Sequence, residues 1–169
     1  VGTGALLTQN PATATDMYNV AVGDDAGKLI TTGGHNVLIG GLTGDAITSG
    51  NSNVAVGYQA LSADTLGDRN VAMGLQALLT QNFTTSTDSY NTAIGYAAGT
   101  AITTGANNTF VGGLAGDATD DGAGCVAVGY SALSANCGAS NTAVGSSAGL
   151  VVTGASNTAI GNAAGLACT

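Results

Sequence analysis

A five-residue phrase returns nine times along the chain, and that repetition constrains the fold more than any other feature. It reads NVAVG at Asn19–Gly23, NVLIG at Asn36–Gly40, NVAVG at Asn53–Gly57, NVAMG at Asn70–Gly74 and NTAIG at Asn91–Gly95. It continues as NTFVG at Asn108–Gly112, CVAVG at Cys125–Gly129, NTAVG at Asn141–Gly145 and NTAIG at Asn157–Gly161, and a truncated copy ends at Gly2. The closing glycines follow at steps of 21, 17, 17, 17, 21, 17, 17, 16 and 16 residues. Such a period is too short for helical-hairpin repeats and too long for a heptad, but it suits one turn of a β-solenoid. The first four steps form a 72-residue unit that then recurs: Ala5–Asn10 returns as Ala77–Asn82, Asp16 and Tyr18 as Asp88 and Tyr90, and Tyr58 as Tyr130. The expectation is one all-β domain over 1–169, a parallel β-solenoid (β-roll) of nine to ten coils of 16–21 residues, with a duplicated four-coil unit.

Aligned on the closing glycine, the columns describe one coil. Positions −3 and −1 hold Val, Thr, Ile or Met around a −2 position that is nearly always Ala. This alternation predicts a strand with two buried faces, one β-branched and one lined by methyl groups. Ala at +3, as in Ala26, Ala60, Ala77, Ala98, Ala115, Ala132, Ala148 and Ala164, followed by Gly or Leu at +4, predicts a tight corner. A second short strand is expected through +5 to +8, at Leu29-Ile30, Ala46-Ile47, Ala101-Ile102 and Val151-Val152, before turns such as Thr31-Thr32-Gly33. The anchors Asn19, Asn36, Asn53, Asn70, Asn91, Asn108, Asn141 and Asn157 are expected to stack as a ladder whose amides satisfy loop backbone groups. The 21-residue coils carry their extra residues at Thr8–Met17 and Thr80–Ser89. These segments are predicted to bulge outward and to offer Tyr18, Phe83 and Tyr90 as surface-contact residues.

Composition sets the thickness of the coil. Only 7% of residues are charged, against about a quarter in ordinary domains, and 28 are Gly, with no Trp and one Pro. The interior must therefore be thin and lined by small and β-branched groups. At about 25 cal/mol per Å² such a coil gains little against chain ordering, so its second β-branched face calls for cover. Parallel copies, most simply a homotrimer about the fibre axis, would supply it. Ten Asp against Lys28 and Arg69 give a net charge of −8, which repels nucleic acid, and no apolar run is long enough to insert in a membrane. Cys125, Cys137 and Cys168 are odd in number and confined to the last third, which predicts buried thiols rather than a disulfide framework. The chain opens within a repeat and without Met, so it is expected to be a segment of a longer fibre protein.

The phrase NxAxG followed by xxAG or xxAL resembles the head repeats of trimeric autotransporter adhesins and, more closely, the NTAIGYQAL-type repeats of phage tail fibre proteins. Asn53–Leu61 and Asn91–Gly99 carry the match most plainly, and it extends over essentially the whole chain. The coils are longer than the autotransporter period. The resemblance implies a left-handed parallel β-roll, a trimer, and an extracellular location on a virion tail fibre or a cell surface.

Chemical motifs are weak by comparison. Gly23–Lys28 resembles a phosphate loop, but its spacing is one short and Leu29 stands where Ser or Thr is needed. His35 is the only histidine, so neither a triad nor a histidine metal cluster can form. Asp45 and Asp117 occupy equivalent corners, with Asp120 and Asp121 nearby, and read as solvated turn residues rather than a calcium site. No catalytic, cofactor-binding or metal-binding residues are expected, and no enzyme activity.

Three functions compete. The leading one is a structural fibre or shaft whose loops meet a host receptor or a neighbouring chain. The alternative is an ice-binding β-solenoid, suggested by the column Thr31, Thr48, Thr65, Thr103, Thr153 and Thr169, which Asp120 and the long coils interrupt. A polysaccharide-cleaving solenoid would need facing carboxylates about 5 to 10 Å apart. The aspartates instead fall in turns, with no aromatic sugar platform beside them.

Overall fold

Each repeated phrase places its three central residues in a strand, because β-branched groups at −3 and −1 favour extended backbone. In the computed structural model, which describes residues 1–11 and 16–165, these strands are β1 (Val20–Val22), β2 (Val37–Ile39), β3 (Val54–Val56) and β5 (Val71–Met73). They continue with β7 (Thr92–Ile94), β8 (Thr109–Val111), β9 (Val126–Val128), β10 (Thr142–Val144) and β11 (Thr158–Ile160). Two further short strands, β4 (Gly67–Asp68) and β6 (Thr87–Asp88), pair with each other. The nine phrase strands form one parallel sheet in the order of the chain, each −2 residue opposite the next: Ala21 on Leu38, Leu38 on Ala55, Ala55 on Ala72. The described residues contain no helix and form an all-β solenoid.

The closing glycine makes the stacking possible. At Gly57 φ is 136°, and a Cβ there would run into the carbonyl oxygen of Gly74 in the next coil. Any side chain would both strain the backbone and push the coils apart.

The second strand expected at +5 to +8 does not form. After each closing glycine the chain runs through overlapping four-residue turns, such as Ala26 N–H to Gly23 O, Lys28 N–H to Asp25 O and Ile30 N–H to Gly27 O. The +2 and +4 residues take positive φ, for example 56° at Gln59 and 54° at Leu61. Alternation of hand at every second residue curls the backbone and precludes a strand. The amides still join coils: the +2 N–H points back, as from Gln59 to Gly41 O, while the +4 N–H points forward, as from Leu61 to Ala77 O. These bonds offset the roughly 1 kcal/mol that a non-glycine residue loses in this conformation.

Four columns fill the interior. They are the −2 residues, the +3 alanines, the +4 leucines Leu61, Leu78 and Leu133, and the +7 residues Ile30, Ile47, Ile102 and Val152. Thr43 takes an alanine's place at +3, buried and donating to Gly57 O at 2.5 Å. In three coils the +7 column turns polar, with Asp64, Gln81 and Thr119 all buried. The strand was expected to have two buried faces. Only the −2 face is buried, and the β-branched −3 and −1 side chains point outward and stay partly exposed.

Candidate functional surfaces

Three surfaces are built by the repeat: the anchor ladder inside the turn, the corners at either end of the strands, and the outer sheet face.

The anchor asparagines join each coil to the next by two bonds. The Asn36 N–H donates to Asn19 Oδ1 at 2.8 Å, Asn53 N–H to Asn36 Oδ1 at 2.9 Å, and Asn108 N–H to Asn91 Oδ1 at 2.9 Å. The Nδ2 groups reach forward to turn carbonyls: Asn36 to Gly50, Asn53 to Gly67, Asn91 to Gly105 and Asn108 to Gly122, all within 2.9 Å. Asn70 differs because the coil after it is long. Its Nδ2 turns back to Asn53 Oδ1, while its Oδ1 accepts from Ser89 Oγ and the Asn91 N–H. The rung at Cys125 is weaker. Its N–H donates to Asn108 Oδ1 and its thiol faces Gly138 O at 3.4 Å. Beyond it, Asn157 N–H donates to Asn141 Oδ1. Cys125 and Cys137 are both buried free thiols, and their mutual hydrogen bond followed by burial pushes the Cys125 pKa up. Cys168 lies outside the described residues.

The corner before the strands carries Asp16, Asp68, Arg69 and Asp88. Tyr18 is exposed, its ring 5.4 Å from that of His35 and its hydroxyl donating to Asp16. One unit later, exposed Tyr90 donates to Asp88 at 3.4 Å, Arg69 pairs with Asp88, and the Arg69 guanidinium stands 5.6 Å from the Tyr90 ring. Phe83 departs from expectation: it is buried, 6% exposed. The Thr80–Ser89 segment does not bulge freely but folds onto the coil before it. There β6 pairs with β4, Thr65 Oγ1 donates to Phe83 O, and Ser86 Oγ donates to Asp68. The Phe83 N–H donates to Asp64, whose carboxylate also accepts from Gln81 Nε2 at 2.6 Å and the Gly67 N–H at 3.0 Å. Burial pushes the Asp64 pKa up, and these donors oppose the shift.

The remaining candidates resolve individually. Lys28 pairs with Asp25 at 2.9 Å, a bond that raises its pKa. Asp45 accepts from Ser62 Oγ, whereas its counterpart Asp117 has a buried Oδ1 with no partner. No group of three or more metal-ligating side chains and no cavity occurs among the described residues. The threonine column spends its hydroxyls internally: Thr31 donates to Thr48 O, Thr48 to Thr65 O, and Thr103 to Asp120 Oδ1. Thr169 lies outside the described residues.

The outer sheet face has eighteen positions, two from each phrase strand, and none is charged. Val22, Ile39, Met73 and Ile94 on it are 39–41% exposed. At about 4.8 Å per strand it runs roughly 40 Å along the solenoid. No protein-family model, curated protein or solved structure matches the chain.

Proposed function

We propose that this chain is a non-catalytic shaft segment of an extracellular fibre, of the phage tail fibre or cell-surface adhesin kind, assembled from parallel copies, most simply three. The observation that carries the reading is the outer sheet face, an uncharged strip of Val, Ile, Thr and Met running the length of the stack. A thin interior of alanines and a few larger groups leaves each coil little stabilisation of its own, and burial of that strip adds to it. Three parallel copies about a rotation axis along the solenoid would turn their strips together at that axis, giving a closed assembly that is a thicker rod of the same length. The corner before the strands, with Tyr18 and Tyr90, then faces outward to a host surface or a neighbouring chain. Against the ice-binding alternative stands the threonine column, whose hydroxyls are tied to backbone and carboxylate oxygens instead of being free to order water.

Sedimentation equilibrium at micromolar concentration tests this. The expected species has three times the mass of the chain, and a paired Ile94→Asp and Val111→Asp variant, charged on the outer face, dissociates. A well-dispersed wild-type monomer over that range would overturn the assembly.

A further inference from the structure

The chain holds five tyrosines and no tryptophan, and three of the five share one column. Tyr58, Tyr96 and Tyr130 each directly follow a closing glycine, and each is more than half exposed, at 51%, 57% and 60%. Each lies two coils on from the last, with one coil between. The intervening coils carry Leu75, itself exposed, and Gly113 in that position. With about 4.8 Å per coil, the rings recur at roughly 10 Å along a straight line.

The backbone holds this spacing firmly. The carbonyl of Tyr58 accepts from the Gln76 N–H, that of Tyr96 from Leu114, and that of Tyr130 from Ser147, all within 3.0 Å. The neighbouring glycines keep the track open. A ring edge of Tyr58 lies beside Gly41 and one of Tyr130 beside Gly113, with Cδ2 3.4 and 3.6 Å from where a Cβ would stand. Beside Tyr58, Gln76 Nε2 donates to Gln59 Oε1 at 3.1 Å, a neutral polar pair.

We propose that this row is a binding track for an extended, neutral, β-1,4-linked hexopyranose polysaccharide, each tyrosine stacking on every second sugar. A pyranose ring presents an apolar C–H face that suits an aromatic ring, and in an extended β-1,4 chain every second sugar faces the same way, about 10 Å on, matching two coils. An α-1,4 glucan coils and loses that register. Single-stranded nucleic acid also stacks on aromatic rows, but it needs a basic groove, whereas Lys28 and Arg69 both lie off this column and the net charge is −8. The track requires only the solenoid and lies beyond the strands, so it stands independently of the proposed assembly.

The test is retention of the full chain on microcrystalline cellulose and titration with hydroxyethylcellulose, followed by tyrosine emission, which no tryptophan obscures. Wild type is expected to bind both and to ignore soluble starch and polyuridylate. Tyr96→Ala should weaken binding about threefold to tenfold, while Leu29→Ala, at an exposed position off this column, leaves it unchanged. A Tyr96→Ala and Gly113→Tyr double variant keeps three rings but breaks their period, and it should not recover affinity. Circular dichroism of each variant keeps loss of fold separate from loss of binding. The proposal is overturned if wild type binds neither cellulose nor hydroxyethylcellulose, if Tyr96→Ala binds like wild type, or if the relocated ring restores full affinity. Mass measured on the same samples separates the two ideas, since a monomer that binds cellulose sinks the assembly and leaves the track standing.

Discussion

Single residues matter here through what they do in a column. The buried Asn53 amide both accepts from the next coil's backbone and donates to Gly67 O, so one side chain satisfies two groups that would otherwise be orphaned inside the turn. Cys125 is the one described break in that ladder. Its thiol reaches Gly138 O only weakly, and sulfur is a poor substitute for the Asn Oδ1 that accepts the next anchor's N–H at the neighbouring rungs. Cys125→Asn should therefore restore both bonds and stabilise by about 1–2 kcal/mol. Denaturant melts against wild type would measure the gain, and a loss would mean the pocket beside Cys137 has adapted to sulfur. Asp64 makes a prediction of opposite character. Burial raises its pKa above the ordinary 3.8, so the folded state holds the proton more tightly than the unfolded chain. Its contribution is then most favourable below the ordinary value and declines as pH rises through the window between that and the raised pKa. Melting temperatures should fall across that window, and Asp64→Asn should flatten the dependence whatever its absolute cost.

At the scale of a coil, volume is traded between columns. Where the −2 residue is large, as at Leu38 and Phe110, the +4 residues that face it are glycines: Gly27 and Gly44 around Leu38, Gly99 and Gly116 around Phe110. At Ala55, Ala72 and Ala127 the same coil's +4 residue is instead Leu61, Leu78 or Leu133, while Ala21, Ala93, Ala143 and Ala159 keep Gly there. Two of the sequence patterns thus fill the interior of a coil with one large group, from −2 or from +4. Phe110→Ala should cost about 3–5 kcal/mol through the cavity it leaves. Adding Gly116→Leu converts the coil to its sister pattern and should return a substantial part, about 2 kcal/mol, because leucine already occupies this positive-φ site at Leu61 and Leu133. Thermal melts of the single and double variants give the coupling directly. An additive loss would show that the columns do not exchange volume.

Across the whole molecule, stability depends on contacts between successive coils and on whatever covers the outer sheet face. If copies of the chain provide that cover, the melting temperature should rise with protein concentration, and the Ile94→Asp and Val111→Asp pair should abolish the rise. Chelator should leave the melt unchanged, because the acidic corners are engaged by protein groups, as Asp45 is by Ser62 and Asp120 by Thr103. A drop of several degrees on chelation would point instead to a cation at Asp117, whose buried oxygen has no partner.

The period of the repeat was enough to determine a stacked parallel sheet, since only in-register coils place Asn on Asn and closing glycine on closing glycine. The +3 alanines were legible as tight corners, whereas the burial of the apolar +7 residues follows from the turns that carry them. What the sequence left undecided was the hand of the backbone between them. Leu29-Ile30 and Val151-Val152 look like strands by composition, yet positive φ at +2 and +4 curls them into turns, because cross-coil bonds outweigh the local preference for extended chain. Phe83 looked like a loop aromatic. Its burial depends on β6 finding β4, a pairing between segments about twenty residues apart that no local pattern encodes. The tyrosine row shows the same division. Each tyrosine was visible in its repeat, but only the stacking of coils gave Tyr58, Tyr96 and Tyr130 a common line and a spacing.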